Sequence, residues 1–129
     1  MKLETYIENI SNQKDLLIKL LSRRSLSIAH IRREKPSSFN VKGVYIISKP
    51  DDQDIVYAGK TNTKTIIGRI SDHMTANTKS DLKIMLNDFR GYPKDAEDYM
   101  VRCVEINDMR ERAFFEHFVI GALRPMFNK

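Results

Sequence analysis

A chain of 129 residues, 41% of them apolar and 30% charged, is the size of one domain with one core and is too apolar to stay disordered. A single cysteine, Cys103, excludes an internal disulfide and argues against a cysteine-built zinc site. The formal charge of +5 is uneven: residues 1–40 carry eight lysines and arginines against four carboxylates, and residues 41–129 carry fourteen against thirteen. The basic excess, at Arg23, Arg24, Arg32, Arg33 and Lys35, suits a polyanionic partner, because each neutralised phosphate releases counterions. A solvated helix face would carry the same charges. No apolar run is long enough to span a bilayer, and Met1-Lys2-Leu3-Glu4 does not open a secretory leader, so a cytoplasmic setting is expected.

From the start of the chain, Leu3, Tyr6, Ile7 and Ile10 recur at helical spacing, as do Leu16, Leu17, Leu20 and Leu21. Asn12, with Asp15 three residues later, can cap the second set, so the segment reads as one interrupted helix or two short ones. Ile28 and Ile31 prolong the apolar stripe up to the break at Pro36-Ser37-Ser38. The stripe serves either as packing against a sheet or, in part, as a homodimer face.

Next comes a β-hairpin. Gly43-Val44-Tyr45-Ile46-Ile47-Ser48 is followed by a polar reversal, Lys49 to Asp54, and by Ile55-Val56-Tyr57-Ala58-Gly59-Lys60-Thr61. Two phenols from adjacent strands can share one face, and nearby glycines allow close approach. Gly59-Lys60-Thr61 is a poor phosphate loop, because that motif needs a glycine where Asp54 stands. Ile66, Ile67, Ile70 and Met74 line one side of a helix, for which Asn62 or Thr63 is the expected cap. Ser80-Asp81 opens a further amphipathic run, Leu82, Met85, Leu86 and Phe89, ended by Arg90-Gly91-Tyr92-Pro93. A strand is expected from about Tyr99 to Ile106. A final helix, opened by the pair Asp108 and Glu111, runs to about Leu123 and is stopped by Pro125, with Phe115, Phe118, Val119 and Ala122 able to face a core. The order predicts an α/β (α+β) domain over residues 41–129, a small three-stranded, mainly antiparallel sheet flanked by helices. Residues 1–40 form a basic helical extension packed on it.

Three polar positions stand out. Glu116 lies among Phe114, Phe115 and Phe118, where a carboxylate loses hydration and needs a cation, a metal or several hydrogen bonds. Arg112, one turn earlier, could be that cation. Arg69 and His73 share one helix face, where a guanidinium can bind a phosphate oxygen and offset charge building on phosphorus.

Gly43-Val44-Tyr45 and Tyr57-Ala58-Gly59 resemble the paired signature of the GIY-YIG nucleases, with Val and Ala where the signature has Ile. Arg69 with His73, and Glu116 followed by Pro125 and Asn128, resemble the family's later motifs in order and spacing. The resemblance covers about residues 41–129, and the longer reach from Gly59 to Arg69 looks most like the restriction-type members. It implies a DNA endonuclease that leaves 5′-phosphate and 3′-hydroxyl ends. In that reading Tyr45 is the general base, Tyr57 positions it or contacts the phosphate, and Arg69 stabilises the phosphorane. His73 hydrogen-bonds Tyr45 or the phosphate, Glu116 holds Mg²⁺ or Mn²⁺, and Asn128 positions Glu116, Tyr45 or the scissile strand. Gly59, Lys60, Arg23, Arg24, Arg32 and Arg33 would contact DNA. A free phenol ionises only near pH 10, so Tyr45 needs help from Lys60, Arg69 or a metal to act as a base. The alternatives are a structure-specific, repair- or homing-type nuclease and a catalytically silent nucleic-acid-binding module on the same fold.

Overall fold

The computed structural model describes residues 2–75, Leu82, Leu86 and residues 95–128. Its frame is an antiparallel sheet of four strands, β1 (Leu26–Ser27), β2 (Gly43–Ser48), β3 (Ile55–Lys60) and β4 (Met100–Glu105), in the order β1-β4-β2-β3. Three of these are the expected strands. The fourth, β1, is two residues long, too short to show any alternation in sequence. β2 is buried along its whole length, flanked by strands on both sides and covered on both faces, which is why it reads as an unbroken apolar run.

Alternation along β2 divides the core in two. Tyr45 and Ile47 face α2 (Ile28–Glu34) and α3 (Ile66–Thr75), packing with Ile28, Ile31, Ile66, Ile70, Tyr99 and Val101. Val44 and Ile46 face α1 (Leu3–Ser22) and α4 (Met109–Leu123), packing with Leu20, Ala58, Val104, Phe115 and Val119. Each such side chain contributes roughly 1.5–3 kcal/mol on burial. The sheet is therefore sandwiched, and a residue's parity decides which helices it meets. Leu82 and Leu86 are helical and buried; Met85, Phe89, the Ser80-Asp81 start and the stop at Arg90 to Pro93 lie outside the described residues.

Several expectations are corrected in detail. α1 is continuous, with no break at Asn12. Only its last turns pack: Leu20 is buried and Leu16 and Leu17 lie against the core, whereas Leu3, Tyr6, Ile7 and Ile10 are 73%, 52%, 60% and 62% exposed. The cap of α3 is Thr65, whose hydroxyl accepts the Gly68 N–H at 3.2 Å, not Asn62 or Thr63. α4 starts as expected, with the Asp108 carboxylate accepting the Glu111 N–H at 2.9 Å, but Ala122 ends up exposed.

The hairpin reversal is tied across the sheet. Asp52, in the left-handed region at φ 62, takes both Arg102 Nη groups at 2.7 and 2.6 Å and the hydroxyls of Ser48 and Ser25 at 2.7 and 2.9 Å. The guanidinium holds the Asp52 carboxyl below its ordinary range. Arg102 Nε also donates to the Arg23 carbonyl at 2.8 Å, so the turn, β4 and the linker after α1 are fixed together. At the other end of β2, Gly43 lies against β4 so closely that a Cβ would overlap the Val104 carbonyl oxygen.

Candidate active site

The β2–β3 register sets Tyr45 opposite Gly59 and Ile47 opposite Tyr57, and directly paired residues share a face, so both phenols emerge on the side of α3. Their ring centroids are 6.2 Å apart. Gly59 makes this arrangement fit, because a Cβ there would come within 2.6 Å of the Tyr45 hydroxyl. From α3, His73 Nε2 lies 3.1 Å from Tyr45 Oη, and its ring stands edge-on to both phenols with centroids 6.5 and 6.2 Å away. Arg69, one turn before His73, is exposed at the mouth, close enough for its charge to act on Tyr45. Beside it a cavity of about 200 Å³ is lined by Asn62, Thr63, Lys64, Arg69 and Asp72.

Burial sets the protonation states. Tyr45 is 1% exposed, and loss of hydration, with the neighbouring Tyr57, pushes its phenol well above the ordinary value while Arg69 pulls the other way. Tyr57 is raised for the same first reason, again against Arg69. Burial, and then the Arg69 charge, lower His73 to about 4 in spite of Asp72. At neutral pH the His73 ring is therefore unprotonated, and its Nε2 shares a hydrogen bond with the Tyr45 hydroxyl in which Tyr45 is the donor when the ring carries its proton on Nδ1. The His73 ring should titrate near pH 4 in the free protein, read by NMR of the imidazole. A midpoint at the ordinary value of about 6.5 would contradict a buried ring facing Arg69. Because the folded value is depressed, His73 contributes stability that is complete above its unfolded value and is lost as pH falls to about 4.

Glu116 enters from α4, on the opposite layer, and reaches the outer edge of β3. Its half-buried carboxylate is raised by burial and lowered by Lys60, His117 and the Lys60 backbone N–H, which faces it. The same edge is closed further along by the chain end: Asn128 accepts from the Ala58 N–H and donates to the Ala58 carbonyl, both at 2.8 Å, and Phe127 N–H donates to the Val56 carbonyl at 2.8 Å. The 127–128 tail thus stands in for a fifth strand at residues 56 and 58, and Glu116 lies against residue 60 further along. The Asn128 amide is spent on Ala58, which stands between Tyr57 and Gly59 on β3.

Arg112 is not the partner of Glu116. It is 2% exposed and donates to the carbonyls of Ile106, Asn107 and Asn62 at 2.9, 3.1 and 2.9 Å. Among the described residues no salt bridge engages Glu116, and no three His, Cys, Asp or Glu side chains cluster. A half-buried single carboxylate without an ion-pair partner fits a hard divalent cation such as Mg²⁺, with water and substrate oxygens completing the shell. Lys60 Nζ donates to Asn62 Oδ1 at 2.6 Å. Of the four arginines expected on DNA, Arg32 is paired with Glu97 and Arg33 with Glu34. Arg23 and Arg24 line a separate cavity of about 300 Å³ with Phe39, Cys103 and Glu105. Cys103 itself is buried, and its thiol is pushed up to about 12, so it is inert.

What sequence reasoning missed in Arg112 is its burial, with backbone carbonyls as its acceptors. The available signal was its position three and seven residues before Phe115 and Val119, on the buried face of the helix.

Two comparisons with known proteins bear on this arrangement. A family model described as the GIY-YIG catalytic domain matches residues 41–129. No curated protein matches the chain.

Proposed function

The chain belongs to the GIY-YIG family, whose catalytic domain implies nuclease activity on nucleic acids, and from that premise we propose that it is a divalent-metal-dependent DNA endonuclease of restriction-like or phage-borne type, acting in the cytoplasm. The observation that carries this reading is the hydrogen bond between Tyr45 and an unprotonated His73, with Arg69 at the mouth of the same site.

Those three residues support a specific proton path. The scissile phosphate docks on Arg69, and its charge offsets the cation that, after burial, holds His73 low. The attacking water gives a proton to Tyr45 Oη as Tyr45 gives its own to His73 Nε2, so a high phenol pKa is no obstacle: no free phenolate is needed. The water oxygen bonds to phosphorus in line, Arg69 offsets the equatorial charge, and the P–O3′ bond breaks. Tyr57 holds the Tyr45 hydroxyl, and Asn128 fixes the strand that carries Tyr57 and Gly59. When bound at Glu116, Mg²⁺ or Mn²⁺ supplies charge that offsets the departing oxygen. The departing 3′-oxygen takes a proton from solvent water, to which His73 returns the one it received, so the products carry a 5′-phosphate and a 3′-hydroxyl.

Residues 1–40 are part of the proposal. Arg23, Arg24 and Arg33, with Lys60 and Gly59, support DNA contacts beside the centre. The exposed stripe of α1 supports a homodimer that presents one site to each strand. Supercoiled plasmid with Mg²⁺ or Mn²⁺ tests both. Cleavage is expected, abolished by Tyr45→Phe, with ends that ligate without added kinase, and a dimer makes linear product without build-up of nicked circles. Intact plasmid with either metal would leave a silent nucleic-acid-binding module; accumulation of nicked circles would remove the dimer.

A further inference from the structure

Arg112 is buried and cationic, and no salt bridge engages it among the described residues. Its guanidinium meets only backbone carbonyls, and its Nε has no partner among the described residues. A buried charge in that state is costly, and an apolar side chain of similar volume would pack at less cost. What a planar fork offers is reach in several directions at once. From the first turn of α4, one Nη holds Ile106 and Asn107, where β4 runs into the helix, and the other holds Asn62, just beyond the end of β3.

We propose that Arg112 is a positioning residue: by stapling the ends of β3 and β4 to the first turn of α4, it fixes Glu116 against the Lys60 N–H at the edge of the site. Glu116 lies one turn along the same helix face, and Lys60 lies two residues before Asn62. The helix is held at its far end too, by Phe127 and Asn128 on Val56 and Ala58. Removing Arg112 frees the near end alone. The inference deepens the nuclease reading, since Glu116 matters because of the substrate and cation it would face.

The experiment uses the full chain with Arg112→Lys and Arg112→Met. Backbone amide hydrogen exchange is read well below each variant's melting temperature. In both variants the Lys60 amide is expected to exchange about 10-fold faster or more, while the Ala58 amide, held by Asn128, keeps its wild-type rate. A purely structural role would speed both together or neither, and either pattern overturns the proposal. In parallel, kcat on a short duplex with Mn²⁺ should fall roughly 10- to 100-fold with KM unchanged, the cost of an ångström-scale misplacement. A shared fall in folded fraction with normal kcat per folded molecule also overturns it. If a variant does not fold, exchange of the Arg112 guanidinium hydrogens in the wild type decides: slow exchange supports the staple, and exchange as fast as that of a surface arginine ends it. If the wild type does not cut DNA, the nuclease reading falls, while the exchange data still judge Arg112.

Discussion

Glu116→Gln and Glu116→Ala should each lower the plasmid cleavage rate on the order of 10³-fold, because a metal-bound carboxylate site accounts for several kcal/mol of transition-state stabilisation. The two variants should remain folded. In the native chain the Glu116 carboxyl is raised by burial above its ordinary value, so the folded state favours its neutral form. A carboxyl raised in this way makes the folded state lose relative stability as pH rises through its titration range. At neutral pH without metal, Glu116 therefore opposes folding, and Glu116→Gln should melt no lower than wild type. Added Mn²⁺ should raise the melting temperature of the wild type and leave that of Glu116→Gln unmoved, since a ligand stabilises only a state that binds it. The loss of activity and the gain in stability come from one cause, a charge kept in a place where only a cation or substrate makes it favourable. Cleavage by Glu116→Gln within tenfold of wild type would remove Glu116 from the centre.

The parts of this molecule that were readable in sequence are those whose partners lie close along the chain. The hairpin announced itself by two apolar runs about a Pro/Asp turn, and α4 by Asp108 three residues before Glu111. The start of α3 was misplaced because Asn62, Thr63 and Thr65 are all good caps. The choice among them is made by a distant contact, the Ile66 N–H on the Val41 carbonyl at 2.8 Å, which starts the helix just after Thr65. α1 looked interruptible at Asn12 because cap-type residues also sit at exposed helix positions, where they cost little. The site followed the same rule. Tyr45, Tyr57, Arg69 and His73 could be gathered from motif order, and they do converge. Arg112 is legible in sequence only as one possible cation for Glu116, the acid one turn along its own helix face. Its actual acceptors are backbone carbonyls, one of them 50 residues away, and a carbonyl leaves no mark in a sequence.

Gly59→Ala should cost on the order of 10²-fold in cleavage while the sheet survives. Gly59 shows no left-handed torsion, so the effect is one of space. The added Cβ would meet Tyr45 Oη at 2.6 Å, Tyr45 Cζ at 2.7 Å and Tyr57 Cε2 at 3.0 Å, all nearer than van der Waals contact. The Tyr45 ring cannot swing clear, being 1% exposed and hemmed in by Tyr57 and His73. It must shift by several tenths of an ångström or more, which breaks its 3.1 Å bond to His73 and moves the atom that receives the proton. Overpacking of this kind costs about 1–3 kcal/mol of stability, which a domain of this size can bear. Adding Tyr45→Phe separates the two consequences. It removes the closest contact, so urea melts should regain part of the lost stability, while activity stays at the level of Tyr45→Phe alone because the proton path is already cut. If Gly59→Ala cut DNA within about threefold of wild type, a rate change of under 1 kcal/mol, Tyr45 would have room to work in more than one position. The close approach of the two strands would then have no part in the chemistry.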